Sequence, residues 1–122
     1  MDDRARKDAG RRGEQLALDH LLAHGLQLIV RNYRCKAGEV DLVMLDRGVL
    51  ALIEVRYRAT SDFGGAAASV TWRKQQRLIR ASQHLLMRRP DLSRYPARFD
   101  VVAITAGAHE PQIDWIKSAF TT

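Results

Sequence analysis

Apolar residues recur along this chain with two different periods. Between Asp8 and His24 they fall at helical spacing: counted from Glu14, the stripe Ala17, Leu18, Leu21 and Leu22 sits at i+3, i+4, i+7 and i+8. Gly25 follows as a C-cap. From Leu26 to Tyr33 the period drops to two (Leu26, Leu28, Val30), which predicts a strand, followed by the basic link Arg34-Cys35-Lys36-Ala37-Gly38. Further strands are predicted at Glu39–Leu45 and Val49–Arg56, joined by Asp46-Arg47-Gly48 as a hairpin turn.

Tyr57 to Ser69, with Gly64-Gly65 and a run of small residues, reads as a loop. A second helix is predicted from a cap at Thr71 or Ser69 to about Arg89, where Pro90 stops it; its apolar face is Leu78, Ile79, Leu85 and Leu86. Arg98 to Thr105 carries the continuous run Val101-Val102-Ala103-Ile104 of a buried strand. Gln112 to Ile116 is expected to form a last short strand, and the C-terminus to fray as a helix. The order is αβββαβ with an extra strand. A three-strand meander followed by a helical crossover implies an α/β fold, a mixed β-sheet flanked by helices. The 122 residues contain no repeat or linker, so one domain is expected, with residues 1–7 as a basic, flexible arm.

Two positions break the strand pattern. Glu54 interrupts Val49-Leu50-Ala51-Leu52-Ile53-Glu54-Val55-Arg56, and Asp41 interrupts the strand before it. A carboxylate in low dielectric is costly unless something compensates its charge. If Arg47-Gly48 makes a two-residue turn, Asp41 lies opposite Glu54 and Glu39 opposite Arg56, all on one face. Opposed Cβ atoms are roughly 4.5–5.5 Å apart, close enough for two carboxylates to share a cation. A three-residue turn with Gly48 as a bulge shifts the register by one, and both turns fit the sequence. Opposed acids repel and raise a pKa; a hard divalent ion removes the conflict. The competing reading is an ordinary ion pair, with each acid facing an arginine.

Charge widens the picture. The net charge is +6 and the isoelectric point about 10.1, which favours polyanionic partners. Arg73, Arg77 and Arg80 form a stripe on the second helix beside Lys74, and Arg11 and Arg12 flank the first. A solvated amphipathic helix produces the same stripe. The lone Cys35 excludes an internal disulfide and a cysteine-built zinc site. No stretch reads as a signal peptide or membrane span, so a cytoplasmic protein without membrane contact is expected. His20 and His24 share a helix face without the glutamate of a zincin motif and read as surface residues. Trp72 is expected to act as a staple or core contact, with base stacking as the alternative. Trp115 is assigned to packing, and Asp100 to anchoring an arginine.

Gly38-Glu39-Val40-Asp41-Leu42, a hairpin, then Glu54-Val55-Arg56-Tyr57-Arg58 resembles the PD-(D/E)xK nuclease superfamily. More narrowly, the chain resembles the YraN family of predicted endonucleases, which are similar to Holliday-junction resolvases. Gly10-Arg11-Arg12-Gly13-Glu14, Asn32-Tyr33-Arg34, Phe63-Gly64, Val70-Thr71 with Lys74-Gln75, and Arg98-Phe99-Asp100-Val101-Val102 carry the resemblance over nearly the whole chain. It implies the restriction endonuclease-like αβββαβ core and metal-dependent cleavage of DNA, branched or structured DNA included, with RNA left open. Asp41, Glu54 and Arg56 take the catalytic positions. Asp41, Glu54, the Val55 carbonyl and Glu14 are the implied ligands of Mg²⁺ or Mn²⁺, although a glutamate in an early helical turn also serves simply as a dipole partner. Lys74 and Gln75, with Arg73, Arg77, Arg58, Arg11 and Arg12, are the expected nucleic-acid contacts, and a homodimer is expected by the same likeness.

One departure stands out. The third signature residue is usually lysine and here is Arg56, which binds phosphate bidentately but stays protonated and cannot act as a general base. A nuclease-fold module that binds nucleic acid with little or no chemistry, and a protein-interaction module, are therefore the alternatives.

Overall fold

The computed structural model describes residues 3–58, 70–107 and 109–121, with only the backbone described for residues 3 and 5–9. Its elements are α1 (Asp3–Ala23), β1 (Gln27–Cys35), β2 (Gly38–Asp46), β3 (Val49–Arg58), α2 (Trp72–Arg88), a short 3₁₀ turn (Pro90–Arg94), β4 (Ala97–Thr105) and β5 (Gln112–Phe120). The five strands form one mixed sheet in the order β1-β2-β3-β4-β5, antiparallel except for the β3–β4 pair. That parallel pair requires the crossover that α2 provides.

The helices take opposite faces. Ala17, Leu18 and Leu21 of α1 pack on Leu42, Met44, Ala51, Ile53, Val102 and Ile104. Leu78, Ala81 and Leu85 of α2 pack on Val40, Val43, Leu50 and Leu52. Strand β3 therefore sends odd-numbered residues to α1 and even-numbered ones to α2, which is why its apolar run does not alternate. Glu54 and Arg56 share the even parity and belong to the α2 side.

Several boundaries move. Helix α1 begins at Asp3, so residues 3–7 of the arm expected over residues 1–7 continue the helix; Ala, Arg and Lys are strong helix formers. Leu22 is 46% exposed, which narrows the expected stripe to Ala17, Leu18 and Leu21. Gly25 closes the helix at φ 89°, with Leu26 N–H bonded to the Leu21 carbonyl in a Schellman arrangement. The basic link shrinks to Lys36-Ala37, because β1 runs on to Cys35 opposite Gly38.

At the next hairpin Arg47 and Gly48 both have positive φ (52° and 83°), the mark of a type I′ turn, and Asp46 pairs with Val49. The two-residue register is the one adopted. Thr71, and not Ser69, is the cap of α2, its hydroxyl accepting from Lys74 N–H. The C-terminus does not fray as a helix: β5 continues to Phe120, whose ring stacks on Phe99 at 5.2 Å. No helix among the described residues is long and apolar enough to cross a membrane.

Candidate functional site

The β2–β3 ladder ends at Leu42–Ile53, one step before Asp41 would face Glu54. Here the side chain of Asp41 takes over from the backbone: Val55 N–H donates to Asp41 Oδ2 at 2.8 Å. The Glu39–Arg56 ladder pair expected from the register does not form for the same reason, and Arg56 instead pairs along the backbone with Ala103 of β4. Ending the ladder opens the sheet where the acids lie. Asp41, Glu54, Val55 and Arg56 line one cleft of about 230 Å³ together with Gly10, Glu14, Glu39 and Tyr57. Across Glu39, Glu54 and Arg56 the hollow continues to Lys74, Arg77 and Leu78 of α2.

Both acids are held above their usual range, and the Glu54 charge disfavours that of Asp41. Burial pushes the Asp41 carboxyl up to about 8, with the Glu54 charge adding to it and the Val55 N–H opposing it. Burial also raises Glu54, while Arg56 and Lys74 pull it down. Neither acid makes a salt bridge among the described residues. The Arg56 Nε is buried without a hydrogen-bond acceptor among them. The Nε of Arg58, whose guanidinium donates to Thr105 elsewhere, is buried without an acceptor in the same way.

Glycines set the approach of both helices. A Cβ on Gly38 would lie 2.6 Å from the Arg77 carbonyl oxygen, so only glycine lets α2 settle against the start of β2. That contact brings Lys74 and Arg77 over the acids. On the other face, a Cβ on Gly13 would lie 3.0 Å from Tyr57 Cδ2, and the next residue, Glu14, reaches the cleft.

The other site residues divide. Glu14 lines the cleft, but its carboxylate accepts from Arg31 Nε at 2.9 Å, and Arg31 Nη1 also donates to Gln15. No group of three Asp, Glu, His or Cys side chains placed to hold a metal occurs among the described residues. A two-carboxylate site still suits Mg²⁺, which often binds through one or two carboxylates. Gln75 spends its amide on the Val70 carbonyl at 3.1 Å. Arg58 turns away, donating to Thr105 Oγ1 and lying 4.0 Å from Asp114. Arg11, Arg12, Arg73, Arg77 and Lys74 are exposed. Phe63-Gly64 lies outside the described residues.

Arg31, Glu39 and Tyr57 are site residues that sequence reasoning missed. The partnership of Arg31 with Glu14 joins residues 17 apart and leaves no local signal. Glu39 was visible as a third acid on the shared face.

Trp72 is neither staple nor core contact: it is 72% exposed at the first position of α2. Trp115 does pack, edge-on to His20 and His24, and Asp100 does anchor an arginine, accepting from Arg98 Nε at 3.0 Å. His24 is exposed and His20 partly so.

Comparison with known proteins gives one consistent result. The profile of the "Uncharacterised protein family UPF0102" matches residues 13–104. A UPF0102 protein of Saccharophagus degradans is 51% identical over 114 residues, covering 93% of both chains. One from Nitrosococcus oceani is 48% identical over 120 residues, 98% of this chain and 97% of its own. One from Pseudomonas fluorescens is 45% identical over 120 residues, 98% of both.

Proposed function

The chain belongs to the UPF0102 family, and we propose that it is a metal-dependent endonuclease that hydrolyses DNA phosphodiester bonds. The observation that carries this reading is the Asp41–Glu54 pair. Two half-buried carboxylates, each raised in pKa and neither salt-bridged among the described residues, form an arrangement that a divalent cation would stabilise. The PD-(D/E)xK pattern and the αβββαβ order support the same reading.

Asp41 and Glu54 would hold Mg²⁺ or Mn²⁺, with the Val55 carbonyl beside them and Glu14 joining on release from Arg31. An ion bound there supplies polarisation of a phosphoryl oxygen and acidification of the attacking water. Arg56 would direct its guanidinium to the phosphoryl oxygens and stabilise the charge that develops on them. Being always protonated, it removes no proton from water. Lys74 and Arg77 hold the strand's phosphates over the cleft, an attraction that weakens with salt.

Incubation of linear, flapped and four-way DNA with Mg²⁺ or Mn²⁺ tests the proposal. Cleavage is expected and should be lost in Asp41→Ala and Glu54→Ala. Failure to cut any of these substrates, or cutting unchanged in both variants, overturns it.

A second reading rests on Arg56 and on the ion pair that occupies Glu14. In it the chain is a nuclease-fold module that binds nucleic acid without turnover. Calorimetry separates the two, since only the endonuclease requires Mg²⁺ or Mn²⁺ uptake that depends on Asp41 and Glu54.

A further inference from the structure

We infer that Trp72 is a stacking platform for an unpaired DNA base, which makes the preferred substrate a duplex interrupted by single-stranded nucleotides. This rests on the nuclease reading and narrows its substrate class.

Trp72 exposes 72% of its surface, although a tryptophan offers more apolar area to bury than almost any other residue. The other tryptophan shows the contrast. Trp115 is partly buried, bonds through Nε1 to Asp100 and packs against the α1-side core. Trp72 belongs to neither core cluster.

Its surroundings select the occupant. Helix α2 carries Arg73, Lys74, Arg77, Arg80 and Arg88 and no acidic residue, so the surface around the indole attracts a polyanion and disfavours another basic protein. Lys74 lines the hollow with Glu54 and Arg56. In helix geometry the Cα atoms of Trp72 and Lys74 are about 5 Å apart. That is one to two base steps along a strand, with bases about 3.4 Å apart. Side chains two positions apart leave a helix about 200° apart, so a strand whose phosphates meet Lys74 and Arg77 passes round the N-terminal end of α2 to bring a base to the indole. Stacking needs that base free of its pair, because a duplex presents only edges and backbone along its sides. Bases all have a π-face, so the platform selects unpaired structure over sequence.

Anisotropy titration in EDTA tests this without cleavage. Labelled continuous duplex and the same duplex carrying a short single-stranded flap are compared for the wild-type protein, Trp72→Ala, Trp72→Phe and Lys74→Ala. Trp72→Ala should weaken flapped-DNA binding roughly five-fold or more and duplex binding by less than about two-fold, with Trp72→Phe restoring most of the loss. Quenching of the fluorescence difference between wild type and Trp72→Phe by flapped DNA, and not by duplex, is the second expected sign. Equal losses on the two DNAs, or no loss on either as for a protein-docking tryptophan, overturn the platform. Lys74→Ala should weaken both DNAs whatever Trp72 does. The nuclease reading therefore survives failure of the platform, while absence of all DNA binding removes both.

Discussion

The two ends of the β2–β3 hairpin each draw carboxylates away from solvent and treat them in opposite ways. At the turn end, Asp46 accepts from Arg98 Nη2 at 2.7 Å, and Lys117 lies 3.9 Å away. Asp100, fully buried, takes both oxygens' worth of donors: Arg98 Nε, Trp115 Nε1 and the Ser118 N–H. The Arg98 guanidinium holds the Asp46 carboxyl below its usual range. At the open end, Asp41 has one backbone donor and a second acid as neighbour, and its carboxyl is pushed up. One end completes its charges within the chain. The other leaves its two acids without a salt bridge among the described residues.

The largest contrast should come from removing an acid at each end. Asp100→Ala strands Arg98, Trp115 Nε1–H and the Ser118 N–H without their acceptor, a loss of about 3–5 kcal/mol, read as a melting temperature lower by about 10 °C or more. Glu54→Gln should leave the fold standing and reduce Mn²⁺ affinity about a hundredfold or more. Similar melting losses at both ends would erase the distinction.

Next in size is a change of sign. Asp41→Asn keeps an oxygen for the Val55 N–H and removes the repelled charge. Without metal at pH 8 it should therefore melt about 3–6 °C above wild type. The linkage runs as follows: the raised folded pKa means that the native state holds a proton the unfolded chain has lost, so Asp41 lowers stability as pH rises from 3.8 to about 8. Asp46 works the other way, its contribution being present above 3.8 and lost as pH falls below it. Melting across pH in EDTA should show the Asp41 slope in wild type and not in Asp41→Asn; parallel curves would refute the difference.

Gly38→Ala should act on the open end alone. Its Cβ must displace the Arg77 carbonyl, which costs about 1–3 kcal/mol and lifts Lys74 and Arg77 from the acids. DNA affinity at low salt should fall several-fold beyond what the unfolded fraction explains. The smallest effect belongs to the turn itself. Arg47 holds a positive φ that asparagine adopts more easily, so Arg47→Asn should add about 0.5 kcal/mol to stability and leave metal affinity unchanged.

Much of this architecture was legible before folding was considered. The three-strand meander, the crossover helix and the mixed sheet follow from periods of 2 and 3.6 interrupted by Gly48, Gly25 and Pro90. The anomaly of acids in apolar strands was equally visible at Asp41 and Glu54. Less was visible where backbone pairing changed character. Strand alternation alone placed Glu39 opposite Arg56, yet the ladder stops at Leu42–Ile53 because the Asp41 carboxylate takes the Val55 N–H. The length of β5 was missed because its end is secured by Asp100 through Ser118, a contact from another strand.

By itself, then, the sequence determined which segments are helix or strand and the presence of acids within apolar strands, since these depend on neighbours within one turn or one strand; it left two hairpin registers open, and the folded chain took the two-residue one. Tertiary structure alone decided which charges meet. It gave Arg98 and Lys117 to Asp46, gave Arg31 to Glu14 and left Trp72 in the open. Those outcomes join residues far apart in the chain, and the energy of a charge depends on what packing brings within a few ångströms of it.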